Sequence, residues 1–146
     1  MKHVIVTGGS GFIGSHLCDL LLTRGYAVTA VDNFVTGRPS NLDQARKSPE
    51  FDFLEQDVCR PIEETGLKLF KKYGLHGVLH FACPASPIDF ERIAMEILKV
   101  DSIGTIHTVD LALRHKARYL LASTSEIYGD PLEHPQKEEY LSLIHI

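Results

Sequence analysis

An apolar, β-branched run at residues 4–7 turns directly into Thr7-Gly8-Gly9-Ser10-Gly11-Phe12-Ile13-Gly14, and a helical pattern begins at Phe12. Few local sequences restrict a fold as strongly. Glycines at 9, 11 and 14 satisfy G-x-G-x-x-G, and those at 8, 11 and 14 satisfy G-x-x-G-x-x-G. Glycine is needed where the chain reverses sharply and where a side chain would block an approaching pyrophosphate. The unpaired amides and the positive end of the helix dipole then attract phosphate. Gly14 lets the helix pack close to the strand.

The motif alone is weak evidence, but its setting adds to it. A strand precedes it, a helix follows it, and Asp32 ends a second strand roughly 20 residues after the glycines, where dinucleotide-binding units carry an acid. A carboxylate there accepts hydrogen bonds from ribose hydroxyls and repels a 2′-phosphate, so NAD is expected rather than NADP. A flexible glycine turn with a turn-capping aspartate is the plainer alternative. Asp57-Val58 follows a third strand, where an adenine edge could be read, although an aspartate there equally caps a turn.

The rest of the chain alternates in the same way. Strands are predicted at 27–31, 51–55, 77–82 and 119–122, and helices at 12–24, 62–73 and 90–114, with Gly25 closing the first helix. The two prolines of Pro84-Ala85-Ser86-Pro87 mark a loop. The long last helix has Ile93, Ile97, Val100, Ile106, Val109 and Leu113 among its apolar positions. Strands alternating with helices imply an α/β fold, a Rossmann-type doubly wound parallel sheet with right-handed crossovers. Residues 1–140 are expected to form one dinucleotide-binding domain, truncated on its C-terminal side. Residues 141–146 end on an apolar stub and are read as an unassigned tail of foreign origin, a short edge strand being the alternative.

Composition narrows the partners. Fifteen basic against nineteen acidic residues give a net charge of −4, without the basic field of an electrostatic nucleic-acid binder. No apolar run reaches the roughly 18 residues of a membrane span, and the N-terminal run is too short for a signal peptide. The cysteines, Cys18, Cys59 and Cys83, are odd in number and far apart, which fits reduced thiols in the cytoplasm. The eight histidines lack H-E-x-x-H spacing, and no metal site is expected.

With these residues placed, the T-G-G-x-G-F-I-G loop resembles the extended short-chain dehydrogenase/reductase superfamily. Asp32-Asn33-Phe34-Val35-Thr36-Gly37-Arg38, His80-Phe81-Ala82-Cys83-Pro84-Ala85-Ser86-Pro87 and Ser123-Thr124-Ser125-Glu126-Ile127-Tyr128-Gly129-Asp130-Pro131 are similar to the UDP-glucuronate decarboxylases, or UDP-xylose synthases. The resemblance implies oxidation of a UDP-sugar at C4 with bound NAD, loss of CO₂ from the resulting β-keto acid, and return of the hydride. It also implies roles for individual residues. Gly8, Gly11, Phe12, Ile13 and Gly14 would form the pyrophosphate loop. Asp32, Asn33, Phe34, Val35 and Thr36 would hold the adenosine, with Asp57 and Val58 on the adenine. Phe81, Cys83 and Ala122 would line the nicotinamide side. Lys99, Arg114, Ile62 and Glu63 would reach the sugar nucleotide. Thr124 would bind the reacting oxygen, with Ser125 and Glu126 near the carboxylate carbon and Glu126 assisting proton handling. For Glu126 and Lys99 the plainer readings are a turn cap and a solvated helix residue.

The chain departs from that family in two places. No tyrosine is followed four residues later by lysine, a spacing that puts both side chains on one helix face and lowers the phenol pKa. On the long helix, Asp101 and His107 stand where the family usually has asparagines. The expected consequences are NAD binding without turnover by this piece alone, and apolar surface near Ile97, Val100 and Ile106 left wet where a homodimer would form. A nucleotide-sugar 4-epimerase or 4,6-dehydratase, and a non-catalytic dinucleotide-binding module, are the competing readings. Titration calorimetry is expected to show NAD binding at least about tenfold more tightly than NADP, because a like charge beside Asp32 costs a few kcal/mol at an effective dielectric of about 20. Equal uptake of the two would exclude this role for Asp32.

Overall fold

The computed structural model describes residues 1–140. The expectations for residues 141–146 lie outside the described residues. Five parallel strands, β1 (His3–Thr7), β2 (Ala27–Asp32), β3 (Phe51–Glu55), β4 (Gly77–His80) and β5 (Arg118–Leu121), form one sheet in the order β3-β2-β1-β4-β5. The chain runs outward from β1 through β2 to β3, then returns to the other side of β1. The carboxyl ends of β1 and β4 therefore flank a crevice at the point where the strand order reverses.

Every residue of β1 and β2 is buried, as near-continuous apolar runs require in a sheet covered on both faces. Alternation along β1 sends Ile5 to one face and Val4 and Val6 to the other. The first face carries Val31, Val58, Ile62, Val78 and Leu111; the second carries Cys18 of helix α1 (Phe12–Thr23), Ala30, Leu42 and Ala45. After α1, Gly25 adopts φ +77°. Among the described residues, no helix is long and apolar enough to cross a membrane.

Two predicted helices differ. In place of a helix over 62–73 there is a 3-10 turn at Glu64–Gly66 and a short helix α2 at Lys68–Tyr73. Leu67 between them is extended, and both Ile62 and Leu67 point into the same core. The amide of Lys68 donates to the Asp52 carboxylate at 3.3 Å, so α2 is capped from a strand sixteen positions earlier. Local sequence carries no trace of that cap.

The 90–114 helix is three pieces. Pro87 opens α3 (Pro87–Arg92) at the first helical position, where a missing amide costs nothing, so the loop ends before it. Ile93 leaves helical geometry, α4 (Ala94–Lys99) follows, and a wide π turn at Val100–Gly104 leads into α5 (Thr105–Arg114). A π turn inserts one extra residue and rotates the helix beyond it. The buried face of α5 is accordingly Thr108, Leu111 and Ala112, whereas Ile106 and Leu113 are 64% and 72% exposed. Gly104 is pressed on Val58; a Cβ there would lie 2.8 Å from Val58 Cγ2. The Thr108 hydroxyl shares a 2.9 Å hydrogen bond with the Tyr119 hydroxyl, fastening α5 to β5. Val100 and Ile97 are half-buried, so of the apolar residues expected to stay wet only Ile106 is exposed. β5 is the edge strand of the described sheet.

Two histidines are built into the sheet. His3 bonds the Gly74 carbonyl through Nδ1 and Thr29 Oγ1 through Nε2, both at 2.8 Å. His80 Nδ1 meets Thr7 Oγ1 at 2.6 Å, across the register pair that ends β1 and β4. Burial lowers both imidazole pKa values from the ordinary 6.5, which favours the neutral ring in the folded chain. The unfolded chain takes up more protons below that value. Their contribution is complete above 6.5 and is lost as the pH falls through the lowered folded-state values. Urea unfolding is expected to show stability falling between about pH 7.5 and pH 5.5, with a smaller fall in His80→Asn. An identical slope in that variant would exclude His80 as a contributor.

Candidate functional site

An open cleft with about 910 Å³ of empty space lies at the carboxyl edge of the sheet. Gly8 and Gly11 form its floor, residues 31–33 and 35–37 one wall, 56–59 one end, and Phe81 to Pro84 the opposite wall, with Glu96, Lys99 and Val100 above. Its position follows from the strand order, because the turns after β1 and β4 leave in opposite directions.

The floor is a backbone surface. Gly8 has φ +68°, and a Cβ on it would lie 2.6 Å from the Phe81 carbonyl oxygen. A Cβ on Gly14 would run into the Gly8 carbonyl, which is why α1 can start directly against the turn. Gly11 precedes α1 in extended geometry, and no side chain caps that helix end. The amides of the first turn therefore face the cleft end of α1 without side-chain acceptors, the condition that favours a bound phosphate.

Asp32 ends β2 beside this floor and is 9% exposed. Its carboxylate accepts the Ser10 amide at 2.9 Å and the Phe34 amide at 2.8 Å. Each oxygen keeps acceptor capacity that a ribose diol can use. Phe34 sits at φ +58°, a costly conformation for a bulky residue. The Asp32 bond and stacking on Phe53, at 5.2 Å between ring centroids, hold it there. Asp57 does cap a turn, accepting the Cys59 amide at 2.8 Å, and also lines the cleft.

Two thiols line the cleft, and neither is a nucleophile at neutral pH. Burial and the Asp101 carboxylate push Cys83 up to about 12; burial and Asp57 push Cys59 up to about 11.

Most of the expected adenosine and pyrophosphate residues converge. Gly8, Gly11, Asp32, Asn33, Val35, Thr36, Asp57 and Val58 line the cleft, together with Phe81, Cys83 and Lys99. Phe12 and Ile13 are exposed at the start of α1, while the Phe34 ring turns to Phe53. Ala122, Thr124, Ser125 and Glu126 are exposed beyond β5 at the same edge of the sheet, outside the cleft lining. Thr124 Oγ1 accepts the Glu126 amide at 3.4 Å, so its own hydrogen is free to donate.

Three expected substrate residues do not reach the cleft. Ile62 is 1% exposed inside the core, and the neighbouring Glu63 is carried by the same segment. Arg114 ends α5 at the opposite edge of the sheet, where it pairs with Glu64 at 2.9 Å and Asp110 at 3.0 Å. Conversely, Gln56, Cys59 and Glu96 line the cleft, although no motif points to them. Glu96 had a legible signal: it precedes Lys99 by one helical turn on the same face of α4.

The GDP-mannose 4,6 dehydratase family profile matches residues 5–142. UDP-glucuronic acid decarboxylase 1 of Arabidopsis thaliana is 45% identical over 137 residues, which are 94% of this chain and 29% of that protein. UDP-glucuronic acid decarboxylase 1 of Xenopus tropicalis is 43% identical over 139 residues, 95% of this chain and 31% of that protein. The chain thus spans less than a third of either relative's length. Among solved structures, UDP-glucose 4-epimerase from Bifidobacterium longum in complex with NAD+ and UDP superposes with a TM-score of 0.80 at 27% identity, covering 97% of this chain and 42% of that one. UDP-N-acetylglucosamine 4-epimerase from Methanobrevibacter ruminantium superposes with a TM-score of 0.80 at 26% identity, covering 97% and 44%.

Gly8→Ala combines a left-handed backbone with a collision against the Phe81 carbonyl, and is expected to destabilise the fold by about 1–3 kcal/mol in urea unfolding. Unchanged stability would mean that the two walls are not held this close.

Proposed function

Because the chain belongs to the GDP-mannose 4,6 dehydratase family, we propose that residues 1–140 are the NAD-binding part of a UDP-glucuronate decarboxylase that forms UDP-xylose in the cytoplasm. The observation that carries the cofactor is the pairing, across one cleft, of a side-chain-free amide floor with a nearly buried carboxylate. The identity of 45% to a UDP-glucuronic acid decarboxylase supports the choice of sugar.

The residues fit NAD in parts. The first-turn amides of Phe12 and Ile13 would hold the pyrophosphate, and the glycine floor keeps that approach open. Asp32 would accept the adenosine ribose hydroxyls with the lone pairs its two amide bonds leave free. Asp57 and Val58 would bound the adenine, and Phe81, Cys83 and Ala122 the nicotinamide. When bound, NAD supplies a hydride acceptor for the sugar C4 carbon and gives the hydride back. With C4 a ketone, the carboxylate is β to a carbonyl: the C5–C6 bond breaks, CO₂ leaves, and the electron pair passes into an enolate at C4 that is reprotonated at C5.

The chain's own groups then position and protonate. The Thr124 hydroxyl would donate to the C4 oxygen, while one of its lone pairs accepts the Glu126 amide. Glu126, exposed beside it, would supply the proton to C5, the carbon that bore the carboxylate. Lys99 offers its ammonium to the UDP-sugar from the upper wall of the cleft. The sequence holds no tyrosine followed four positions on by lysine, the pair that would take the C4 hydroxyl proton. The exposed Ile106 and Leu113 on α5 suit burial against a second copy.

The family match and the epimerase structures favour a second reading, a nucleotide-sugar 4-epimerase or 4,6-dehydratase. Product analysis separates them. The 146-residue chain with NAD is expected to release no CO₂ from UDP-glucuronate. A longer protein containing it is expected to release CO₂ with formation of UDP-xylose. A C4 epimer of UDP-glucuronate formed without CO₂, or turnover of UDP-glucose to an epimer or a 4-keto-6-deoxy sugar with none of UDP-glucuronate, would overturn the decarboxylase in favour of the second reading.

A further inference from the structure

The wall of the cleft formed by residues 33–37 is fastened at its start by the bond from the Phe34 amide to Asp32. It is fastened at its end by Leu42, which is fully buried under α1 in the 3-10 turn Pro39–Leu42. Between those points it rests on one residue of the glycine loop. The Ser10 carbonyl accepts the Arg38 amide at 3.2 Å and the Asn41 carboxamide nitrogen at 2.8 Å. The Ser10 side chain adds no tie, since its hydroxyl is buried without a partner. Gly37 lies so flat on Ser10 that a Cβ would run into Ser10 Oγ.

The two bonds to Ser10 differ in what they demand of the sequence. The Arg38 bond is made by a main-chain amide that any residue except proline supplies. The Asn41 bond needs a short side chain with an N–H donor. Asn41 is otherwise exposed and belongs to neither core cluster. Its one buried task is to span from the segment after β2 to the glycine loop after β1.

We infer that Asn41 is a positioning residue for the adenosine half of the ligand: its carboxamide sets the distance between the glycine floor and the wall that carries Asn33, Val35 and Thr36. This rests on the dinucleotide reading of the cleft. A group bound between floor and wall feels the loss of that tie. The opposite wall, Phe81 to Pro84, is held through Gly8 and β4 and does not depend on it.

The two halves of the ligand are therefore the probes. Chemical-shift titrations with 5′-AMP and with nicotinamide mononucleotide are compared for the wild-type chain, Asn41→Asp and Asn41→Ala. Asn41→Asp keeps the shape and removes the donor; Asn41→Ala removes the donor without adding charge. Both variants are expected to fold, because the side chain is exposed. Both are expected to bind 5′-AMP about tenfold more weakly while the affinity for the mononucleotide changes less than about twofold, as loss of one local hydrogen bond implies. An equal loss for both halves means a structural role only and overturns the inference, as does an unchanged affinity for 5′-AMP. A wild-type chain that binds neither half overturns the dinucleotide reading together with it.

Discussion

A single carboxylate joins the two turns from which the cleft is made. Asp32 is nearly out of contact with water and receives one amide from the turn after β1 and another from the turn after β2. A charged acceptor in such a place makes stronger hydrogen bonds than a neutral one. Its removal would also strand the buried Ser10 amide and the partly buried Phe34 amide. Close approach is the condition for both bonds. It explains why glycine stands at Gly9, where a Cβ would strike Ala30, and at Gly37, where one would strike Ser10, and why Phe34 tolerates a backbone conformation that a phenylalanine disfavours.

The opposite wall depends on the centre of the sheet. Thr7 and His80 are register partners at the ends of β1 and β4, and their buried hydrogen bond lies directly beneath Gly8 and Phe81. The upper wall depends on the wide turn at Val100–Gly104. With Gly104 seated on Val58, which itself belongs to the end of the cleft, the preceding turn carries Lys99 and Glu96 over the opening. Fold and site thus share residues: Val58 is at once core, cleft lining and support for the helix above it.

Much of this is legible in the sequence. Strand, glycine turn, helix and acid-ended strand occur in the predicted order, and β3 has the predicted bounds at Phe51–Glu55. These features are encoded locally, by β-branched runs and by glycine where no other residue fits. The departures have a common cause. The cap on Lys68 comes from Asp52 on another element. The rotation that exposes Ile106 and Leu113 while burying Leu111 comes from an inserted residue in a turn whose apolar spacing still looks helical. Arg114 ends its helix at the far edge of the sheet because α5 runs against the strands, a fact of direction that composition does not carry.

Residue order alone was enough to specify a parallel α/β sheet, an anion-attracting turn after its first strand and an acceptor at the end of its second, because each is a matter of backbone freedom and short-range periodicity. Which side chains share the cleft was left to packing. Gln56, Cys59 and Glu96 enter it, and Ile62 and Arg114 stay out, since neighbours in the finished cleft come from strands and helices far apart in the chain, and only the assembled sheet sets the distances between them.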